Sequence, residues 1–328
     1  MVAAMAAFYL GSVAKASQPV TIALSTVGNP GNAADSSTGY GSVGYTFGIG
    51  TYDVTLTQYT AFLNAVAQTD TYGLYNSSLN GSDANIGGCI AQSGVSGSYT
   101  YSVMGDGQRP VTYVSWFDAA RFTNWLSNGQ PVTHVEDATT TETGAYTLNG
   151  DTVVGLETKN TNAQWWIPSE DEWYKAASYD PNQGGLGVGG YWSYATRSNT
   201  APGNGLGSGA NEANYYNGGY TLSGTAGYLT PVGAFTNSAS AYGTYDQSGN
   251  VYNWNDAILN GAWRGLRGGS WNFPSNFLQS SYRNLNGPTA ENGIVGFRVA
   301  TVPEPSSIML IGLGGILLAT IRRKPFKL

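Results

Sequence analysis

Apolar residues recur at helical spacing in three places along the chain. Tyr59, Phe62, Leu63 and Val66 fall at i, i+3, i+4 and i+7, which predicts an amphipathic helix with Thr55 as its N-cap. The run Phe47-Gly-Ile-Gly-Thr-Tyr-Asp-Val-Thr55 reads as a short strand leading into it. Ser115 followed three residues on by Asp118 predicts a second helix start, with Ala119, Phe122, Trp125 and Leu126 as the buried stripe and Gly129-Gln-Pro131 as the stop. Ser169-Glu-Asp-Glu172 is a full capping box, and Trp173, Ala176 and Ala177 face inward from the third helix.

Between these helices the pattern is weaker. Residues 72–107 are rich in glycine and serine and read as loop. Residues 110–114 and 165–168 read as short strands, and 139–157, with turns around Gly144, Asn149 and Gly150, as a hairpin. Residues 180–228 are poor in apolar side chains. Gly185, Gly187 and Gly190 have G-x-G-x-x-G spacing, but no strand precedes them and no helix follows, which rejects a dinucleotide site and leaves a flexible loop. Short strands are expected at 231–235, 250–254, 265–271 and 294–300. No fixed-period repeat is present. The expectation is an irregular α+β domain with few short helices and short antiparallel strands.

Composition sharpens this picture. Of 328 residues 46 are glycine, so much backbone belongs in turns. Aromatics reach 13% and charged residues only 10%, so the surface is built from Gly, Ser, Thr, Asn and Tyr. The formal charge of −6 argues against nucleic acid, which needs a basic face. Cys89 is the only cysteine, which excludes an intrachain disulfide.

The two ends read as address labels. Residues 1–16 are small and apolar and finish Ala14-Lys15-Ala16, a signal-peptide cleavage pattern without a basic n-region, as either a start lying upstream or a worn signal peptide would give. At the other end Val302-Pro303-Glu304-Pro305-Ser306 precedes an apolar run from Ile308 to Ile321 and then Arg322-Arg323-Lys324. That run is short for a bilayer span of about 20 residues, and the basic cluster marks a cytoplasmic end. The segment resembles the PEP-CTERM sorting tail of Gram-negative bacteria, with Pro303, Glu304 and Pro305 as its motif. The resemblance implies a transient inner-membrane stage, cutting by an exosortase-type protease, and release to the cell surface or extracellular matrix. The expected organisation is 1–16 signal peptide, 17–301 body and 302–328 sorting tail. Without its ends the body keeps nine Lys+Arg against 19 Asp+Glu, a net charge of −10, because the ends hold Lys15, Arg322, Arg323, Lys324, Lys327 and Glu304.

An ordered set of motifs runs through the body: Tyr52-Asp-Val-Thr55, Pro110-Val-Thr-Tyr-Val-Ser-Trp116, Ile167-Pro-Ser-Glu-Asp-Glu-Trp173, Gly249-Asn-Val-Tyr-Asn-Trp254, Leu266-Arg-Gly-Gly-Ser-Trp271 and Gly296-Phe-Arg-Val299. Residues 21–301 thereby resemble the formylglycine-generating enzyme family, or sulfatase-modifying factor domain. The resemblance implies a C-type-lectin-like fold with little regular structure. In catalytic members a cysteine pair follows the Gly-Gly-Ser-aromatic motif and oxidises a substrate cysteine with copper and oxygen. The matching positions are Phe273 and Leu278, which form no thiolate and bind no copper. Iron-dependent branches act on small thiols through a histidine-rich site, and His134 is the only histidine. Neither copper nor iron is expected.

Structural calcium is the cofactor that the resemblance does imply. One site would use Asp246, the carbonyls of Gly249 and Val251, and Asn253, where the family often has Glu. A second would use Asn214 and the Tyr215 carbonyl. Arg267 and Arg298 are assigned to structure, with Gly268, Gly269, Ser270 and Trp271, because a guanidinium pins several carbonyls at once. Asn272, Phe273, Asn276, Phe277, Tyr282, Arg283 and Asn284 are the candidate ligand-binding residues, since rings and amides on loops suit sugars or protein surfaces. Related lectin-fold proteins display retroelement-diversified residues at this place. The leading expectation is therefore a non-catalytic, exported ligand-binding or structural module linked to exopolysaccharide. Its competitors are a metal-dependent oxidoreductase with an unrecognised site near Asn272, Tyr282 and Arg283, and a diversified variable binding protein.

Overall fold

Each predicted helix begins at a reciprocal side-chain box. Thr55 starts α1 (Leu56–Val66), where Gln58 N–H donates to Thr55 Oγ1 at 3.2 Å and Thr55 N–H donates to Gln58 Oε1 at 2.9 Å. Ser115 and Asp118 do the same for α2 (Trp116–Ser127), and Ser169 and Glu172 for α3 (Glu170–Ser178). Such pairs satisfy the amide groups that a helix start leaves open. Glu172 also accepts from Trp166 Nε1 and the Tyr45 hydroxyl, which ties α3 to its surroundings. This computed structural model describes residues 19–81, 88–207, 209–222 and 227–303. The expected signal peptide, and the tail beyond Pro303 with Glu304 and Pro305, lie outside the described residues. No described helix is long and apolar enough to cross a membrane.

Two four-stranded sheets organise the rest. The first has the order β1 (Leu24–Val27), β2 (Phe47–Gly50), β12 (Ala300–Thr301) and β5 (Trp165–Trp166), all antiparallel. The second runs β10 (Asn284–Asn286), β9 (Trp263–Arg267), β8 (Tyr252–Leu259) and β11 (Val295–Gly296), with β11 parallel to β8. The core lies where α1 and α2 meet the end of the chain. The Phe122 ring packs on Phe62, Tyr59 and Phe297 with centroids 5.4, 6.2 and 5.4 Å away.

Several expected elements differ. Residues 72–107 are not all loop: β3 (Gly88–Ser93) and β4 (Thr100–Gly105) form a hairpin that packs on α1. Its buried side is little more than Ile90 and Tyr101, too small a stripe to show in the pattern. Cys89 thus sits in a strand. Residues 110–114 are not a strand, since only the bridge Thr55–Pro110 forms. Residues 139–157 are successive turns rather than a hairpin. Arg121 Nε and Asn124 Nδ2 hold them, donating to Glu142 Oε1 and to the Thr141 and Tyr146 carbonyls. Residues 231–235 form no strand. The glycine loop around Gly185–Gly190 closes the short hairpin β6 (Tyr179–Asp180) and β7 (Gly190–Tyr191). The expected strand 294–300 is two pieces, β11 and β12, in different sheets.

Candidate functional site

After β9 the chain reverses through Gly268 and Gly269, at φ +99° and +73°. A Cβ on Gly269 would stand 2.6 Å from Leu278 Cδ1 and 2.9 Å from the Phe277 carbonyl oxygen, so only glycine lets the returning segment close in. Trp271 anchors the return. Its N–H donates to the Asn250 carbonyl, its indole N–H to the Gly293 carbonyl, and its ring stacks on Tyr228 with centroids 4.7 Å apart.

A short 3₁₀ turn at Ser275–Leu278 follows. Leu278 is buried at 2% exposure with Tyr194, Ala213 and Tyr215. Phe273 stands edge-on to Tyr252 and 4.8 Å from the Phe277 ring, and Phe277 lies 4.6 Å from Tyr282. The two positions matched to a cysteine pair are therefore packing positions, and the half-buried rings of Phe273, Phe277 and Tyr282 run along the surface. Asn272 is exposed and accepts a hydrogen bond from the Tyr220 hydroxyl at 3.2 Å, and Asn276 is exposed beside it.

Arg283 and Asn284 are drawn elsewhere. Arg283 Nη2 donates to Glu170 Oε2, while Arg267 holds Glu170 Oε1 and donates to the Ser280 and Tyr282 carbonyls. Asn284 Oδ1 accepts the neighbouring Leu285 N–H within β10. Sequence reasoning missed Tyr216 and Tyr220. They are 40% and 39% exposed, their rings are 5.0 Å apart, and Tyr216 N–H donates to the Phe273 carbonyl. The available signal was a tyrosine series inside 213–245, a stretch without a charged residue.

Of the donors expected for calcium, Asn253 is committed to other partners. Asn253 Oδ1 accepts from Trp173 Nε1 at 2.9 Å and Arg298 Nε at 2.7 Å, and Asn253 Nδ2 donates to Asp53 Oδ1 and the Val251 carbonyl. A guanidinium thus occupies the cationic place beside Asn253, so Asp246, Gly249, Val251 and Asn253 do not fit a divalent ion as one donor set. Asp246 Oδ2 accepts the Gly233 N–H, and its carboxyl is pushed up to about 7, first by burial and then by Asp53. Gly249, at φ +89°, passes so close to Asn214 that a Cβ would meet its carbonyl oxygen. Asn214 Nδ2 donates to the Tyr228 carbonyl and Asn250 Oδ1, and the Tyr215 carbonyl accepts from Asn204 Nδ2. The Asn214 amide nitrogen and the Tyr215 carbonyl thus tie neighbouring loops together. Cys89, whose thiol burial pushes up, and His134, whose Nδ1 lies 3.1 Å from the Asn64 carbonyl, both sit beside α1.

Hercynine oxygenases of Mycolicibacterium smegmatis and Mycolicibacterium thermoresistibile are 30% and 29% identical over 157 residues, each covering 41% of this chain. The chain spans about a third of the length of these curated relatives. The solved structure titled "Crystal Structure of CarF" superposes with a TM-score of 0.50 at 21% identity, covering 87% of this chain and 99% of that one, which shows a shared fold. A PEP-CTERM protein-sorting motif occupies residues 301–324 and marks an exported protein handled by an exosortase-type membrane protease. The Gly-Gly turn, the buried arginines and the sparse regular structure lie within residues 38–302, which match the sulfatase-modifying factor enzyme 1-like domain, and the chain belongs to that family.

Proposed function

We propose that this protein is a non-catalytic, exported binding member of its family, acting at the cell surface or in the surrounding polysaccharide matrix. Its binding face is the ring-and-amide surface of Tyr216, Tyr220, Asn272, Phe273, Asn276, Phe277 and Tyr282, and its ligand is an uncharged glycan or protein surface. The observation that carries this reading is the pair Phe273 and Leu278. Where the resemblance puts two thiols, one ring joins an aromatic run and one isobutyl group fills a core. Ring faces bind the C–H faces of sugars and apolar protein groups, and the neighbouring amides add hydrogen bonds without charge.

Glycan-array binding followed by calorimetry tests it. Tyr220→Ala and Tyr282→Ala should each weaken the ligand by about tenfold, the loss of one well-placed ring. Copper or iron bound at one per chain, with oxygen consumed in the presence of a thiol, would sink this reading. That outcome belongs to a second reading, a metal-dependent oxidoreductase with an unrecognised site, which the identity to the hercynine oxygenases favours.

A further inference from the structure

Nine Lys and Arg residues lie among the described residues. Seven of them stand within salt-bridge distance of a carboxylate, and Lys175 donates to the Asn29 and Val43 carbonyls. Arg197 is the exception. It is exposed and makes no hydrogen bond or ion pair among the described residues.

Its backbone is unusual as well. Arg197 sits at φ +55° in a tight turn closed by Tyr194 N–H donating to the Ser198 carbonyl at 3.0 Å. The Thr196 hydroxyl donates to Asn211 Oδ1 at 2.6 Å and fixes the turn against the next segment, where Asn211 is itself at φ +65°. A left-handed arginine stores strain that glycine would relieve, in a chain otherwise free with glycine. The turn walls a cleft of about 460 Å³, into which Trp192, Asp180, Asn211, Asn237 and Thr200 also face. Asp180 holds the indole there, with Oδ2 accepting Trp192 Nε1 at 3.1 Å and Oδ1 accepting the Asn182 N–H.

We propose that this cleft binds a carboxylate-bearing sugar, a uronate unit set among neutral sugars in a polysaccharide. An indole with amides and hydroxyls around it matches the faces and hydroxyls of a pyranose, and the volume suits one or two rings. The unpaired guanidinium offers the planar double donor that a carboxylate accepts. The chain's net charge of −6 disfavours a densely charged polyanion, so the fitting ligand carries isolated uronates. This site is separate from the face around Asn272 and does not depend on it.

Calorimetric titration of the full chain tests the assignment, using a tetrasaccharide that alternates glucuronate with a neutral hexosamine, and its carboxyl-reduced counterpart. The uronate form should bind about tenfold or more tightly than the reduced form, the share of a charge-assisted contact. Arg197→Gln should erase that preference, Arg197→Lys should restore part of it, and Trp192→Ala should weaken both forms. Unfolding midpoints equal to the parent's exclude a folding defect, and Arg197→Gly provides a variant in which the turn is relaxed. Tyr220→Ala and Tyr282→Ala should leave the titration unchanged, so failure here and failure of the face around Asn272 are told apart. No binding, equal binding of the two forms, an Arg197→Gln variant with the preference intact, or inorganic phosphate competing as well as glucuronate would each overturn the proposal.

Discussion

At the residue scale the fold turns on buried arginines, and Arg298 is the most constrained of them. It is fully buried and donates to Asn253 Oδ1, Asp53 Oδ1 and the carbonyls of Gly50 and Tyr245, at 2.7 to 3.0 Å. A buried ion pair is tolerable only when its remaining donors are matched, and removing one partner strands the other charge. Arg298→Ala should therefore lower stability by about 3–5 kcal/mol in chemical denaturation. Adding Asp53→Asn to that variant should recover part of the loss, because the stranded carboxylate is then gone. The same contacts speak to calcium. With Asn253 Oδ1 taken by Arg298 and Trp173, adding calcium or a chelator should leave the thermal unfolding midpoint within about 1 °C of the untreated protein. A rise of several degrees with calcium would mean that Arg298 gives way to the ion.

At the element scale the Gly268–Gly269 turn sets the position of the aromatic face. Gly269→Ala must fit a Cβ against Leu278 and the Phe277 carbonyl at positive φ, which should cost about 1–3 kcal/mol and move the 3₁₀ turn. Its denaturation midpoint should fall, and ligand binding at Tyr282 should weaken with it. A variant that unfolds at the parent's midpoint would show that the turn has slack. The sequence shows this motif and the three helix starts plainly, because a capping box and a left-handed glycine are decided within four residues. It does not show the pairings made from afar. β5, β11 and β12 are two residues each and exist only through distant pairing, β11 with β8, β12 with β2, and β5 with β12. Site residues divide the same way. Phe273, Phe277 and Tyr282 lie close together in sequence after a recognisable motif. Tyr216 and Tyr220 join them through a hydrogen bond to the Phe273 carbonyl, one to Asn272, and the Tyr220 ring against Trp271, which no local pattern encodes.

At the scale of the whole molecule, an acidic chain has enclosed some of its acids rather than display them, and its stability should carry the mark of that. Asp118 is 2% exposed, and its carboxyl is pushed up to about 8, first by burial and then by Glu291. Glu136 is raised to about 7 by burial, against the Thr71 N–H that it accepts. In the unfolded chain these groups return to their ordinary values of 3.8 and 4.5. Between about pH 4 and pH 8 the native state thus holds protons that the unfolded state has released. Stability from these groups is complete below their unfolded values and is lost as pH climbs through their folded ones. Lys175, lowered to about 8 by burial, acts with the opposite sign, but only above that value. The unfolding midpoint should therefore be higher at pH 5 than at pH 8. Asp118→Asn keeps an oxygen for the Ser115 N–H and has no proton to lose. It should match the parent at pH 5, exceed it at pH 8, and flatten the slope between. If the parent instead grows more stable from pH 5 to pH 8, the enclosed carboxyls are ionised in the native state, and partners of opposite charge must reach them.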